Sequence, residues 1–83
     1  MERFRGTPGK WFYSDLLGEV KSLKGLLIAD LIVNGKEDDN GRLIAAAPEL
    51  LEALQDALHA HDKHGVHSEW DFARAAIAKA LGQ

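Results

Sequence analysis

The sequence contains no cysteine, so no disulfide can staple the fold and no thiolate can serve as nucleophile or metal ligand. That absence suits a cytoplasmic protein. An excess of basic charge is missing too: 13 acidic residues stand against 10 Lys and Arg, for a formal charge of −3. The two signs are interspersed, no basic face is marked out, and binding to a nucleic-acid backbone is not expected. Long apolar runs are lacking. The longest, Leu26 to Val33, is interrupted by Asp30 and falls far below the roughly 20 residues of a membrane-spanning helix. Met1-Glu2-Arg3-Phe4-Arg5 leads into Gly, Thr and Pro rather than an apolar core, so no secretory leader is expected. Serine is scarce as well. Ser14, Ser22 and Ser68 lie in no nucleophile-elbow context, and Glu49 with Glu52 reads as a solvated helix edge, so an enzyme is not expected.

What is present divides at Val33. At 83 residues the chain reads as a single domain. A chain of this size buries about 60–65% of the surface its unfolded form exposes and is marginally stable alone. Residues 1–9 are polar, with Pro8 and Gly9 as breakers, and read as a loose arm. Residues 10–33 read as strands. Lys10 to Ser14 is aromatic-rich, Asp15 to Gly18 turns the chain, and Glu19 to Leu23 is a weaker strand. Lys24-Gly25 suits a hairpin turn, and Leu26 to Val33 is the strongest strand pattern of the three.

Residues 34–41 read as a loop in which Asp38, Asp39 or Asn40 can cap the helix that follows. Leu43, Ile44, Ala47, Leu50, Leu51, Leu54 and Leu58 recur at three- and four-residue steps, one apolar stripe along a helix over 42–61. Pro48 interrupts it and either kinks the helix or opens a second one. A second helix is expected over 68–81, capped by Ser68, with Asp71 in a capping-box position and Gly82 as terminator. Phe72, Ala73, Ala76, Ile77, Ala80 and Leu81 form its expected face, with Trp70 packing nearby. The fold class is therefore α+β: a small three-stranded antiparallel sheet followed by two antiparallel helices. Two open sheet edges and a small core point to a homo-oligomer.

Asn40-Gly41-Arg42-Leu43-Ile44-Ala45-Ala46-Ala47-Pro48-Glu49-Leu50-Leu51-Glu52-Ala53-Leu54 resembles a phrase of small uncharacterised bacteriophage and prophage proteins. Those proteins also open with a T-P-G-P-W run and close with an A-R-A-A-I-A-K-A helix. Here the counterparts are Thr7-Pro8-Gly9-Lys10-Trp11 and Ala73 to Ala80. Lys10 stands where the family has proline, and Gly41 where it has alanine. Glycine at that point weakens a helical turn by about 1 kcal/mol and allows a ligand or partner to approach closely. The resemblance implies a phage accessory protein acting in the host bacterial cytoplasm, with no cofactor. It is similar in layout to anti-Thoeris sponge proteins, which implies sequestration of a nucleotide-derived signal of the cyclic ADP-ribose type. An inhibitor of a host defence protein, of the anti-CRISPR kind, and a structural or regulatory phage protein are the alternatives.

The ligand contacts expected under the sponge reading are Trp11, Asn40, Arg42 and Arg74. The helix start offers amides to an anion, the arginines offer bidentate phosphate contacts and the aromatic offers stacking. Ordinary capping by the acids of 37–39 competes with the first of these. Trp11 and Tyr13 should share one strand face and Phe12 the other, leaving an aromatic in need of cover. His59, His61, Asp62, His64 and His67 cluster in sequence but match no metal-site spacing, so a solvated linker is expected rather than a metal centre.

Overall fold

The three extended segments hydrogen-bond as a meander. β1 (Trp11–Ser14), β2 (Glu19–Ser22) and β3 (Leu27–Asp30) form one antiparallel sheet in the order β1-β2-β3. Two helices follow, α1 (Glu37–Asp62) and α2 (Asp71–Ala80), giving the α+β fold expected. This computed structural model describes residues 3–63 and 70–83; Ser68, His64 and His67 lie outside the described residues. The chain separates into two compact units. Gly6–Glu49 holds the sheet and the first half of α1, and Leu50–Gln83 with Met1–Arg5 holds the rest of α1 and α2.

In the sheet unit, Tyr13, Val20 and Ala29 stand opposite one another across the three strands and so share one face. Val20 is fully buried there. Phe12 and Leu27 flank Lys21 on the other face and are about half exposed. Trp11 and Tyr13 are half-buried, so the division of the aromatics between faces is as expected. Ile28 is an extra residue in β3: Val20 faces Ala29 while Lys21 faces Leu27. The third strand is shorter than the pattern suggests. It ends at Asp30, opposite Glu19, because the chain before Glu19 turns away from it through residues 15–18. Leu31 makes one last bond, its N–H to the Gly18 carbonyl at 2.8 Å. Ile32 and Val33 then leave the sheet and stand 82% and 80% exposed.

The first helix begins five residues earlier than expected, at Glu37. The acids sit inside its first turn, where they meet the positive end of the dipole, rather than ahead of it. Asp38, Asp39 and Asn40 are therefore helical residues and not caps. The Lys36 carbonyl accepts the first helical bond, from the Asn40 N–H at 3.0 Å. Just ahead of it Asn34 makes an Asx turn, its Oδ1 accepting from the Lys36 N–H at 2.9 Å, and its own N–H donates to Glu37 Oε2 at 3.2 Å. Between them Gly35 has φ +86°, a conformation that side-chain-bearing residues rarely adopt. Pro48 lies within α1, which continues through it to Asp62.

The apolar stripe of α1 is only partly covered. Ile44, Leu51 and Leu54 are half-buried and Leu58 is buried, but Leu43, Ala47 and Leu50 are exposed. A helix of 26 residues carries more apolar positions than so small a chain can cover. In the helical unit the buried residues of α2 are Ala73 and Ile77, one turn apart. Phe72, expected on that face, is 73% exposed, because one position earlier lies about 100° around the helix. The helix stops as expected at Gly82, with Gly82 N–H bonded to the Lys79 carbonyl and Gln83 N–H to that of Ala78.

Candidate functional site

The sheet unit carries an open groove of about 460 Å³ lined by Asp30, Leu31, Ile32, Asn34, Asn40, Leu43 and Ile44. Its two walls come from the segment after β3 and the first turns of α1. The apolar side chains there are not core: Ile32 is 82% exposed and Leu43 64%. The 2.8 Å bond from Leu31 to Gly18 places the β1–β2 turn at the same end of the sheet. That turn presents Leu16, 89% exposed, and Leu17, 59% exposed. One end of the sheet thus offers Leu16, Leu17, Ile32, Val33 and Leu43 to solvent.

Tyr13 of β1 packs against the first turns of the helix that builds this groove. The Tyr13 ring lies over Gly41, so closely that a Cβ on Gly41 would meet the ring's Cδ1 at 2.2 Å. The Tyr13 hydroxyl donates to Asp38 Oδ1 at 2.7 Å. That bond, with desolvation and the nearby charges of Asp38, Glu37 and Asp15, pushes the phenol up to about 12. The Glu37 carboxyl is held below the ordinary carboxylate range, by hydrogen bonds from its own backbone amide and from that of Asn34. The close approach at Gly41 expected for a ligand or partner is taken by the protein's own tyrosine.

In the helical unit, Arg74 is the organising cation. Its Nη2 donates to Asp62 Oδ1 at 2.6 Å and its Nη1 to Asp71 Oδ1 at 3.0 Å, so one guanidinium ties α2 to the end of α1. Trp70 stacks on His61 with ring centroids 4.5 Å apart, and Phe72 follows at 6.4 Å from Trp70. A smaller groove of about 160 Å³ lies along Gln55, Leu58, Arg74, Ile77, Ala78, Leu81 and Gln83.

A protein-family model described as Salmonella phage P22 protein Y8K6 matches residues 1–83, the whole chain. The chain belongs to this family. The resemblance to small bacteriophage proteins read from Thr7 to Trp11 and Asn40 to Leu54 is therefore correct at the level of a phage protein. Comparison with curated proteins and with solved structures gave no match.

The residues of this P22-type protein singled out from sequence fall in both units, Trp11, Asn40 and Arg42 in one and Arg74 in the other. Asn40 lines the larger groove. Arg42 points along the helix surface to Asp39, at 3.3 Å, with both side chains well exposed. Trp11 donates its indole N–H to the Thr7 carbonyl at 3.2 Å, which pins the N-terminal arm. Arg74 lines the smaller groove, in the other unit. Among the described residues no group of three or more His, Asp or Glu is placed to hold a metal ion. No helix of the described residues is long and apolar enough to cross a membrane. Sequence reasoning missed Ile32, Val33 and Leu43 as surface residues, because β-propensity and helical periodicity both assign such side chains to a core.

Proposed function

We propose that this phage protein is a non-enzymatic binding module that docks a host protein through the apolar end of its sheet. The carrying observation is the groove itself, walled by exposed Ile32 and Leu43 beside a turn that exposes Leu16 and Leu17. Small monomeric domains seldom leave large aliphatic side chains together in water, and such patches mark interaction sites. The host would be bacterial, the setting its cytoplasm, and the role counter-defence or another accessory task. A sponge for a nucleotide-derived signal would need cations and aromatics converging on one pocket. The groove's lining has Asp30 as its charged member and no aromatic, which favours the protein-docking reading over the sponge. Self-association has its own candidate surface on the outer sheet face, where Phe12 and Leu27 are half exposed.

The test replaces Ile32 with the photo-crosslinker p-benzoylphenylalanine in protein produced in Salmonella cells. A discrete adduct with one host protein is expected on irradiation, and none from the same substitution at exposed Glu52. No adduct at position 32, together with a large rise in thermal stability on adding a cyclic ADP-ribose isomer, would replace docking with the sponge.

A further inference from the structure

Resting on that docking reading, we infer that the partner presents a basic amphipathic surface, apolar at its centre and ringed by Lys and Arg. The argument is charge complementarity around the apolar groove. The segment 30–44 that builds both walls carries Asp30, Glu37, Asp38 and Asp39 against Lys36 and Arg42. Arg42 and Asp39 pair at 3.3 Å and offset one another, which leaves Asp30, Glu37 and Asp38 against Lys36. The turn at the same end of the sheet adds Asp15, whose charge together with those of Glu37 and Asp38 reaches Tyr13. Asp30 lines the groove itself, and acids outnumber bases on the segments that bound it.

Other occupants fit this charge balance less well. A second copy docked through the same end would set acid against acid, since a two-fold interface joins the same patch on both subunits. An anionic lipid surface or a phosphate backbone is repelled by the same charges. A basic rim on the partner is steered in by them, and the apolar centre then supplies the burial. Of the familiar recognition modes, a helix laid in a groove suits walls made of a helix and an extended segment.

Two 14-residue peptides with identical leucine spacing serve as probes, one with lysine at every other position and one with glutamate. Binding to the full chain is followed by amide chemical shifts. The lysine peptide is expected to bind at least tenfold more tightly, and to perturb amides within 15–18 and 30–44. Asp30→Asn combined with Asp39→Asn should cut that preference below threefold. Leu43→Ala should weaken the lysine peptide, while Glu52→Gln should leave both peptides unchanged. Equal binding of the two peptides overturns the inference, as do shifts confined to other regions or insensitivity to Leu43→Ala. Concentration-dependent shifts of the same amides without peptide also overturn it, in favour of a second copy. The crosslink at position 32 separates the two levels: an adduct with no lysine preference removes the basic partner and keeps docking, whereas no adduct removes docking itself.

Discussion

The sheet unit and the helical unit are joined internally by contacts of different reach. In the helical unit, Ala73 and Ile77 repeat at one helical turn and Arg74 meets Asp71 three residues away, contacts that follow from the period of the helix, while its bond to Asp62 reaches back 12 residues to the end of α1. In the sheet unit, strand and helix meet where Tyr13 reaches Asp38, 25 residues on, and covers Gly41. That contact follows from no local period. It depends on one side chain being absent, and it leaves the neighbouring aliphatics uncovered. Small changes in the helical repeat should be tolerated site by site, whereas the fit of Tyr13 over Gly41 leaves no room for one added methyl.

The largest effect should come from filling that fit. Gly41→Ala gains about 1 kcal/mol of helix propensity, yet places a methyl 2.2 Å from the Tyr13 ring. Overpacking costs about 1–3 kcal/mol, and with three ring atoms in the way the upper end applies, so a net loss of about 2 kcal/mol is expected in thermal unfolding. Combining it with Tyr13→Ala should reverse the sign of the Gly41→Ala effect, because the ring is no longer there to be displaced. A stabilised single variant would break the comparison between the units.

A smaller effect is expected in the helical unit. Arg74→Ala removes two charged hydrogen bonds from a partly exposed site, where water screens the pairs. The expected loss is about 1 kcal/mol by chemical denaturation. A loss as large as that of Gly41→Ala would erase the difference between the two units.

The smallest effect at neutral pH, and the sharpest in its pH signature, belongs to Tyr13→Phe. The folded phenol titrates at about 12 against 10.0 in the unfolded chain, so its contribution is fully present below pH 10. Between pH 10 and 12 the unfolded state loses its proton first, and stability falls as pH rises. Tyr13→Phe should abolish this part of the alkaline loss. Asp38→Asn should move the phenolate absorbance transition back toward 10, since the hydrogen bond to Asp38 is the largest cause of the shift.

These particular residues also mark what could be read in advance. The strand order, both hairpin turns and the end of α2 at Gly82 were legible, because each rests on nearest-neighbour chemistry: alternation, turn residues and a helix C-cap. The start of α1 lies earlier than the acids suggest because Asn34 turns the chain at Lys36 and bonds Glu37, which lets Glu37 to Asp39 join the first turn instead of preceding it. Arg42 pairs with Asp39 and Arg74 with Asp71 and Asp62; of these, Asp62, 12 residues back in α1, is the partner that spacing along α2 does not disclose.

By itself the sequence determined the α+β class, the absence of disulfides, the acidic balance and the likeness to phage proteins, because composition, period and punctuation are local properties. Tertiary structure alone decided that Gly41 receives Tyr13, that β3 stops opposite Glu19, and that Ile32, Val33 and Leu43 face water beside one groove. Burial is a property of neighbours brought together from distant parts of the chain, and an isoleucine carries no mark of whether they arrive.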